Sequence, residues 1–388
     1  MNVEARNCSW KRYLASAILL VCVAGGTAHA AEEAMKVWPD RLRGFCVGKP
    51  GAHLTEEKIF QRLAAWRVNA LTVNFTYDSR LGIEDVSDLP TVPPAMEPYR
   101  GALDRLDRII ALARKHGIFI ILAGGGALGN DKINVATGET TEENAKQERA
   151  YLANVIALHE YLGAKYRNEP TILAYNFISE PHTPWIVENW RTEVVPPFIK
   201  AIRAVDPNTY LIFSAGLWGF PDFGGKGKGR VQEPFADPAQ KTLYGWHDYA
   251  PHNYTHQGVG KRPRNQIYPG MLKMFNGSRL KLWDRDAQAQ YMAPAIAFMK
   301  KHKVKMFVGE FGVTRWAPGA DKWLGDKVSL FEEYGVSWTC HNFAGSWDGW
   351  NVTVPATAKG GNVPDGETET PRLRALRKYL KQNTTFNR

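Results

Sequence analysis

Eight short apolar runs recur along this chain of 388 residues, and segments of helical period separate them. The predicted strands cover residues 42–47, 70–75, 118–123, 172–178, 210–213, 243–249, 305–310 and 336–342. Continuous apolar runs such as 118–122 are typical of parallel strands buried on both faces. Because no low-complexity linker divides the chain, the eight repeats predict an α/β protein with a single (β/α)8 TIM barrel.

The segments between these strands carry the helical pattern. Predicted helices cover residues 55–66, 101–116, 143–166, 190–205, 285–303, 321–334 and 371–380. A doubly wound open sheet is the alternative, but no Gly-rich phosphate-binding sequence follows the first strand, as that fold would favour. Three glycines, 124–126, follow the third strand instead, where they predict a tight or closely approached loop.

The N-terminal region has the pattern of a secretory signal. An apolar stretch at 14–26 is about half as long as the roughly 20 residues of a membrane-spanning helix. Lys11 and Arg12 precede it, and Ala28-His29-Ala30 provides the small residues of a cleavage site. We therefore expect a signal peptide at 1–30, a barrel domain at 31–388, a periplasmic or secreted location, and no stable insertion into the membrane.

The net charge of the chain narrows its possible partners. The full chain carries a net charge of +10, and its basic residues are spread out apart from a cluster at 226–230, which we interpret as a solvated loop. Nucleic acid is therefore not an expected partner.

Cys46 and Cys340 lie on the predicted first and eighth strands, which are neighbours in a barrel, so either a disulfide or two free thiols is possible. No spacing typical of a zinc site occurs.

Two carboxylates stand at the ends of predicted strands. Glu180 follows the fourth strand and Glu310 ends the seventh, each beside Pro or Gly. In a TIM barrel the chemistry lies at this carboxyl face. Either glutamate alone could be a salt-bridged residue of the barrel rim, but two at one face favour a functional site. Such a pair can cleave a glycosidic bond, since one protonates the leaving oxygen while the other attacks or activates water.

Several motifs at these strand ends resemble those of one known family. They are Ser-Glu-Pro at 179–181, His-Asp-Tyr at 247–249, Val-Gly-Glu-Phe-Gly at 308–312, Ser-Trp at 337–338, and the segment 251–258 after the sixth strand. Together they make nearly the whole of 31–388 similar to the retaining glycoside hydrolases of family 5, the endoglucanase-type cellulases. The resemblance implies a barrel that binds a β-linked polysaccharide or oligosaccharide; the sequence does not determine the oligomeric state, for which a monomer is our expectation.

The resemblance also implies roles for individual residues. Glu180 would be the acid/base and Glu310 the nucleophile, with Tyr249 beside the nucleophile and His247 lining the site. Trp338 would be a platform on which a sugar ring stacks, because a flat indole suits the apolar face of a pyranose. Carboxylate chemistry on sugars requires no metal or organic cofactor, and none is expected.

Three positions depart from the family pattern. Ser179 stands where the family usually has Asn, Thr72 where it has Arg, and glycines 124–126 where a His commonly ends the third strand. We expect Ser179 to bind the substrate in place of that Asn, although its shorter side chain would reach a sugar hydroxyl only at closer range or through water. A nearby cation lowers a carboxyl pKa. We therefore expect Glu310 to have a higher pKa than in relatives with that arginine, unless another base reaches the site; the candidates in the sequence are Arg43 and Arg80.

Three functions are consistent with the sequence. The favoured one is a retaining, endo-acting β-glucan hydrolase that cleaves a glucan or a bacterial exopolysaccharide. The second is a barrel that binds glycan without cleaving it, which would explain the lost residues but not the two retained carboxylates. The third is a glycosidase of different linkage, such as a mannanase or an exo-acting enzyme, because the altered third-strand loop would reshape the cleft.

Overall fold

The computed structural model describes residues 35–47, 55–75, 91–124, 141–227, 229–275, 277–343, 349–358 and 369–387. Eight parallel strands close into a barrel in the order β1-β10-β9-β6-β5-β4-β3-β2. These strands are β1 (Arg43–Val47), β2 (Ala70–Asn74), β3 (Phe119–Gly124), β4 (Ile172–Phe177), β5 (Tyr210–Ser214), β6 (Thr242–Asp248), β9 (Met306–Phe311) and β10 (Ser337–His341). The predicted TIM barrel is therefore confirmed, and the open sheet is wrong.

Helices surround the barrel. They are α1 (Glu57–Ala65), α2 (Arg100–Lys115), α3 (Glu142–Tyr166), α4 (Pro184–Glu188), α5 (Val195–Val205), α6 (His252–Thr255), α7 (Arg285–His302), α8 (Ala320–Tyr334) and α9 (Pro371–Leu380). Each of the longer ones packs an apolar face on the strands, because burial of that face provides most of the stability of a helix in a protein. In the described part of the chain, no helix is both long and apolar enough to cross a membrane.

A short antiparallel hairpin is inserted between the sixth and seventh barrel strands. It consists of β7 (Gly270–Leu272) and β8 (Lys281–Trp283), which pair only with each other. The sequence analysis did not predict it, because strands of three residues are too short to show an alternating pattern. The hairpin precedes α7 and forms part of the connection at the carboxyl face.

The register of β1 and β10 decides the state of the two cysteines. Cys46 lies level with His341, whereas Cys340 lies level with Phe45. Cys340 and Phe45 both belong to the core between barrel and helices, and Cys46 instead contacts Glu310 inside the barrel. Side chains one step apart in register point to opposite faces of a sheet. Both thiols are consequently free and buried, and the disulfide alternative is wrong.

The glycine that ends β3, the first of the three predicted to form a tight or closely approached loop, lies against a helix. A Cβ atom at Gly124 would overlap the imidazole ring of His159, which α3 places behind the strand. His159 is fully buried among aromatic rings, and this burial lowers its pKa to about 4, so it packs as a neutral ring. Glycines 125 and 126, like the predicted signal peptide at 1–30, lie outside the described residues.

Candidate active site

The barrel brings the two predicted carboxylates together at its carboxyl face. Glu180 follows β4, and Glu310 is the fifth of the six residues of β9. His247, on β6, lies between them: its Nδ1 is 2.7 Å from Glu180 Oε1 and 3.7 Å from Glu310 Oε2. One ligand atom from each of the three side chains lies within 4.8 Å of the other two. The acid pair thus shares one imidazole.

The absence of a side chain at Gly309 makes room for this imidazole. A Cβ atom there would lie 3.1 Å from His247 Nε2 and 3.3 Å from Asn176 Nδ2. Such contacts are tighter than ordinary van der Waals separation, so a larger residue would push the ring away from the carboxylates. Glycine before Glu310 is therefore a packing requirement of the site.

The carboxylate of Glu310 receives a hydrogen bond on each oxygen. The Tyr249 hydroxyl donates to Oε2 at 2.8 Å, and the Cys46 thiol donates to Oε1 with an Sγ–O distance of 3.6 Å. His341, the last residue of β10, places its Nδ1 3.9 Å from Oε2. The side chain of Glu310 is 14% exposed, against 37% for Glu180, so the better-enclosed carboxylate is also the more heavily supported one.

These contacts determine the charge of Glu310. Burial acts to raise its pKa, but the charges of His247 and His341 and the two hydrogen bonds lower the pKa to about 2. Burial and the charge of Glu310 raise the pKa values of Tyr249 and Cys46 well above their usual range, so both stay protonated and remain donors. Burial opposes protonation of His247, yet the two glutamates raise its pKa. Glu310 is thus ionised at neutral pH.

The pKa of Glu310 is lowered although Thr72 brings no cation near it, because other basic groups reach the site, which is the exception that the expectation allowed. The Thr72 hydroxyl lies 2.8 Å from that of Thr339, which donates to the Gly309 carbonyl at 2.6 Å. This hydroxyl pair therefore fixes the backbone just before Glu310 and brings no charge. The compensation for the missing arginine comes instead from side chains of β1, β6 and β10, which are far from Thr72 in sequence.

Neither arginine considered from the sequence is seen to provide the compensation. Arg43 extends away from the site and forms a bidentate ion pair with Glu332, at 2.8 and 2.7 Å, and a further bond to Asn383. Arg80 lies outside the described residues. The low pKa of Glu310 therefore rests on histidines and neutral donors.

Trp338 does not line the cleft, so its predicted role as a sugar platform was wrong. Its side chain is fully buried, its Nε1 donates to Glu332 at 2.8 Å, and its ring packs edge-on against Phe311. Along β10 the inward positions are those of Thr339 and His341, and strand alternation turns the intervening residues toward the helices. Trp338 belongs to the outer core.

Aromatic surface in the cleft comes from other residues. The cleft has a volume of about 550 Å³, and both carboxylates line it together with the rings of Trp218, Phe220, Tyr249, His252, His256, Phe275, His341 and Trp350. Trp218 follows β5 and is 41% exposed. It stacks on His182 with ring centroids 4.3 Å apart and planes 8° from parallel. Its position shortly after a barrel strand could have predicted that it lines the cleft, but the sequence analysis did not single it out.

The backbone around the predicted acid/base is fixed by the same loop. The amide of Trp218 donates to the carbonyl of Pro181 at 2.7 Å, which ties the aromatic platform to the residue that follows Glu180. Ser179 is half-buried and is not among the residues that line the cleft. Its carbonyl lies against Gly219, where a Cβ atom would approach to 2.6 Å. We therefore assign Ser179 to the turn rather than to a sugar contact.

A buried ion pair supports the strand that carries His247 and Tyr249. Lys327 Nζ lies 2.7 Å from Asp248 Oδ1, and neither side chain is exposed. Trp246 Nε1 donates to the other oxygen at 3.3 Å. Because Asp248 faces the helices, this pair fastens β6 to α8 while its neighbours in sequence face the cleft.

This chain is similar in sequence to several known proteins. The family model "Cellulase (glycosyl hydrolase family 5)" matches residues 30–346. Endoglucanase C of Acetivibrio thermocellus is 25% identical over 263 residues, which cover 62% of this chain and 72% of that protein. Cellodextrinase A of Ruminococcus flavefaciens is 22% identical over 291 residues, covering 74% and 79%.

Solved structures share the fold. Endoglucanase Cel5A of Pseudomonas stutzeri superposes with a TM-score of 0.62 at 16% identity, covering 89% of this chain and 96% of that one. The cellulose synthase subunit Z of Clostridioides difficile gives 0.63 at 16% identity, covering 88% and 99%. With a family model that spans most of the sequence, this chain belongs to the cellulase family, glycosyl hydrolase family 5, and is a glycoside hydrolase of the β-glucan-cleaving type.

Proposed function

We propose that this protein is a retaining, endo-acting β-glucan hydrolase with Glu310 as nucleophile and Glu180 as acid/base. The observation that carries the proposal is the proximity of the two carboxylates, whose ligand oxygens lie within 4.8 Å of each other. Retaining enzymes hold the groups about 5–5.5 Å apart, whereas inverting enzymes leave about 6.5–9.5 Å for a water molecule. The separation favours direct attack by Glu310.

The two carboxylates differ in the way that this mechanism requires. Glu310 is ionised and enclosed, so it can attack the anomeric carbon and form a glycosyl-enzyme ester. Glu180 is more exposed and shares a proton with His247 through their 2.7 Å hydrogen bond. That proton passes to the leaving glycosidic oxygen. In the second half of the reaction Glu180 takes a proton from water, which attacks the ester and releases Glu310.

The substrate that we propose is a β-linked glucan or a bacterial exopolysaccharide. The exposed ring of Trp218 stands beside the loop of Glu180, so it would stack on the sugar that leaves first. A mannan is the second candidate, because solved complexes of Thermotoga maritima Cel5A contain cellobiose in one case and mannotriose in another. We further propose export to the periplasm or medium, which rests on the N-terminal signal pattern alone.

The test is hydrolysis of soluble β-glucan, glucomannan and mannan, with the products sized and their initial anomeric configuration read by proton NMR. We expect mixed oligosaccharides with retained β configuration. Glu180→Gln and Glu310→Gln should each lower kcat by about 10³-fold or more without unfolding the protein. Glu333→Gln, at an exposed position far from the cleft, is the matched control and should be fully active.

Other outcomes would exclude particular parts of the proposal. Inverted products would refute the assignment of Glu310 as nucleophile. Release of only short units from one chain end would refute endo action. Binding of polysaccharide without any hydrolysis would support the glycan-binding barrel instead. N-terminal sequencing of exported protein should begin at Ala31, and retention of Met1 would contradict the proposed location.

A further inference from the structure

The connection between β6 and α7 has an unusual charge. Residues 249–283 contain six basic side chains and no Asp or Glu. The basic residues are Lys261, Arg262, Arg264, Lys273, Arg279 and Lys281. They are spread over 21 positions, so a search for runs of adjacent charges overlooks them. In a chain whose net charge is +10, this one connection accounts for more than half of the excess.

The same connection exposes aliphatic side chains. Met271 and Leu282 are cross-strand partners in the β7–β8 hairpin, and Leu280, just before β8, lines one surface depression together with Met271. Their exposed fractions are 58%, 53% and 57%, respectively, and that of nearby Ile267 is 63%. Such a set of neighbouring apolar groups on one surface is uncommon on a soluble protein and indicates an interaction site.

The hairpin is held firmly, so this exposure belongs to the folded state. Leu272 and Trp283 point to the other side of the hairpin, where both are buried. We define the hairpin face as Met271, Leu280 and Leu282 with the cations Arg262 and Lys273, which line the surface depression together with Met271 and Leu280. This shallow depression has a volume of about 320 Å³. Lys281 lies level with Leu272 and bonds to Gln290 of α7, so it belongs to the opposite side of the hairpin.

We propose that the hairpin face binds the surface of an anionic phospholipid bilayer. Apolar side chains that protrude among lysines and arginines match both layers of such a surface, because the cations meet lipid phosphates while the aliphatic groups enter the acyl boundary. A second copy of the chain would bring like charges together. An acidic polysaccharide would pair with the cations but would leave the protruding aliphatic groups in water.

Binding in this manner would place the cleft close to the membrane. Phe275 and Met274 lie in the same connection, between β7 and β8, and both line the cleft beside the carboxylates. The enzyme would then meet glycan chains near the bilayer and remain a peripheral protein. The inference does not depend on the proposed hydrolysis, because lipid binding is measured without any substrate.

The test is co-sedimentation of the whole protein with vesicles of phosphatidylcholine containing about 30 mol% phosphatidylglycerol. We expect binding to these vesicles, release in about 0.5 M NaCl, and no binding to phosphatidylcholine alone. The double variant Arg262→Gln, Lys273→Gln should lower the partition coefficient about 30-fold. Replacing two exposed lysines at the end of α7 by Gln provides a control of equal charge, and it should lower binding much less; these are Lys300 and Lys301.

A second variant separates apolar insertion from simple charge attraction. Met271→Ser, Leu280→Ser and Leu282→Ser together leave every charge in place, and we expect them to abolish the binding that survives moderate salt. Each of these outcomes would overturn the proposal: no binding to anionic vesicles, equal loss in the α7 control, unchanged binding of the serine variant, or dimerisation through the hairpin face in sedimentation velocity. Binding to an acidic polysaccharide but not to vesicles would likewise overturn it.

Discussion

Removal of the Cys46 thiol should raise the pKa of Glu310. The thiol donates to Oε1 at 3.6 Å and is the described donor to that oxygen, since Tyr249 donates to the other one. Hydrogen bonds to charged groups contribute about 1.5–3 kcal/mol, and a thiol is a weak donor, so we take about 1 kcal/mol here. That free energy corresponds to a shift of about 0.7 pH units. Cys46→Ala should therefore move the acid limb of kcat/KM upward by about this amount.

The second cysteine of the barrel provides a matched control. Cys340 is equally buried on the neighbouring strand, but it faces the outer core and has no contact with Glu310. Cys340→Ala should lower the free energy of unfolding by about 1–2 kcal/mol through the cavity it leaves, without moving the acid limb. Cys46→Ser keeps a hydroxyl donor and should restore most of the wild-type profile.

The pKa of Glu310 can also be measured without catalysis, by 13C NMR of labelled glutamate with Glu310→Gln for assignment. The sign is fixed by linkage: because the folded pKa is about 2 and the unfolded value near 4.5, ionised Glu310 stabilises the fold at neutral pH. This contribution is lost as the pH falls from about 4.5 to about 2. Cys46→Ala should make the contribution smaller, because it raises the pKa of Glu310 in the folded protein. An unchanged Glu310 titration in a folded Cys46→Ala protein, or an equal shift in Cys340→Ala, would refute this role of the thiol.

Three further substitutions test the assignments made from the structure. Trp218→Ala should raise KM about tenfold with little change in melting temperature, because the ring is partly exposed and stacks on sugar in our proposal. Trp338→Phe should lower the melting temperature and leave KM unchanged, since this indole is buried and hydrogen-bonded to Glu332. A raised KM would show that Trp338 contacts the substrate after all. Asp248→Asn should cost about 3–5 kcal/mol in urea unfolding, because it leaves the Lys327 ammonium buried without a carboxylate, and a smaller loss would show that the lysine is rehydrated or neutral.

The barrel and its two carboxylates could be predicted because they depend on strand ends alone. Parallel strands place their carboxyl ends at one edge, so residues such as Glu180 and Glu310 meet even though they are far apart in sequence. The β period also placed His247 and Tyr249 on one side, as the structure shows. Nothing in that argument requires knowledge of the side-chain packing.

Which residues of a strand face the barrel interior was harder to predict than where the strand lies in the sequence. The polar residues Ser337, Thr339 and His341 alternate with Trp338 and Cys340 along β10, but because the strand is buried on both faces, its polar side faces the barrel interior and not the solvent. A motif centred on the tryptophan favoured the wrong residue. His341 ends the strand with its side chain inward and lines the cleft. Its position at the carboxyl end of a barrel strand would have predicted this role if its inward orientation had been known.

The charges around Glu310 could not be predicted from Thr72 alone. The absence of one arginine predicts a higher pKa of Glu310 only if every other neighbour of that carboxylate is neutral or distant. The structure instead surrounds that carboxylate with Cys46, His247 and His341, which come from three strands widely separated in sequence. Such a set is a property of the closed barrel, and no pattern within one strand contains it.

Replacing a permanent cation by histidine also changes how the site responds to pH. An arginine stays charged at any working pH, whereas a histidine loses its charge near neutrality unless a carboxylate raises its pKa. Glu310 and Glu180 do raise the pKa of His247, while burial lowers that of His341. The positive charge beside Glu310 therefore resides chiefly on His247, and the Nδ1 atom of the same ring is hydrogen-bonded to Glu180. Deprotonation of His247 at higher pH removes this charge from beside Glu310, a loss that an arginine would not undergo.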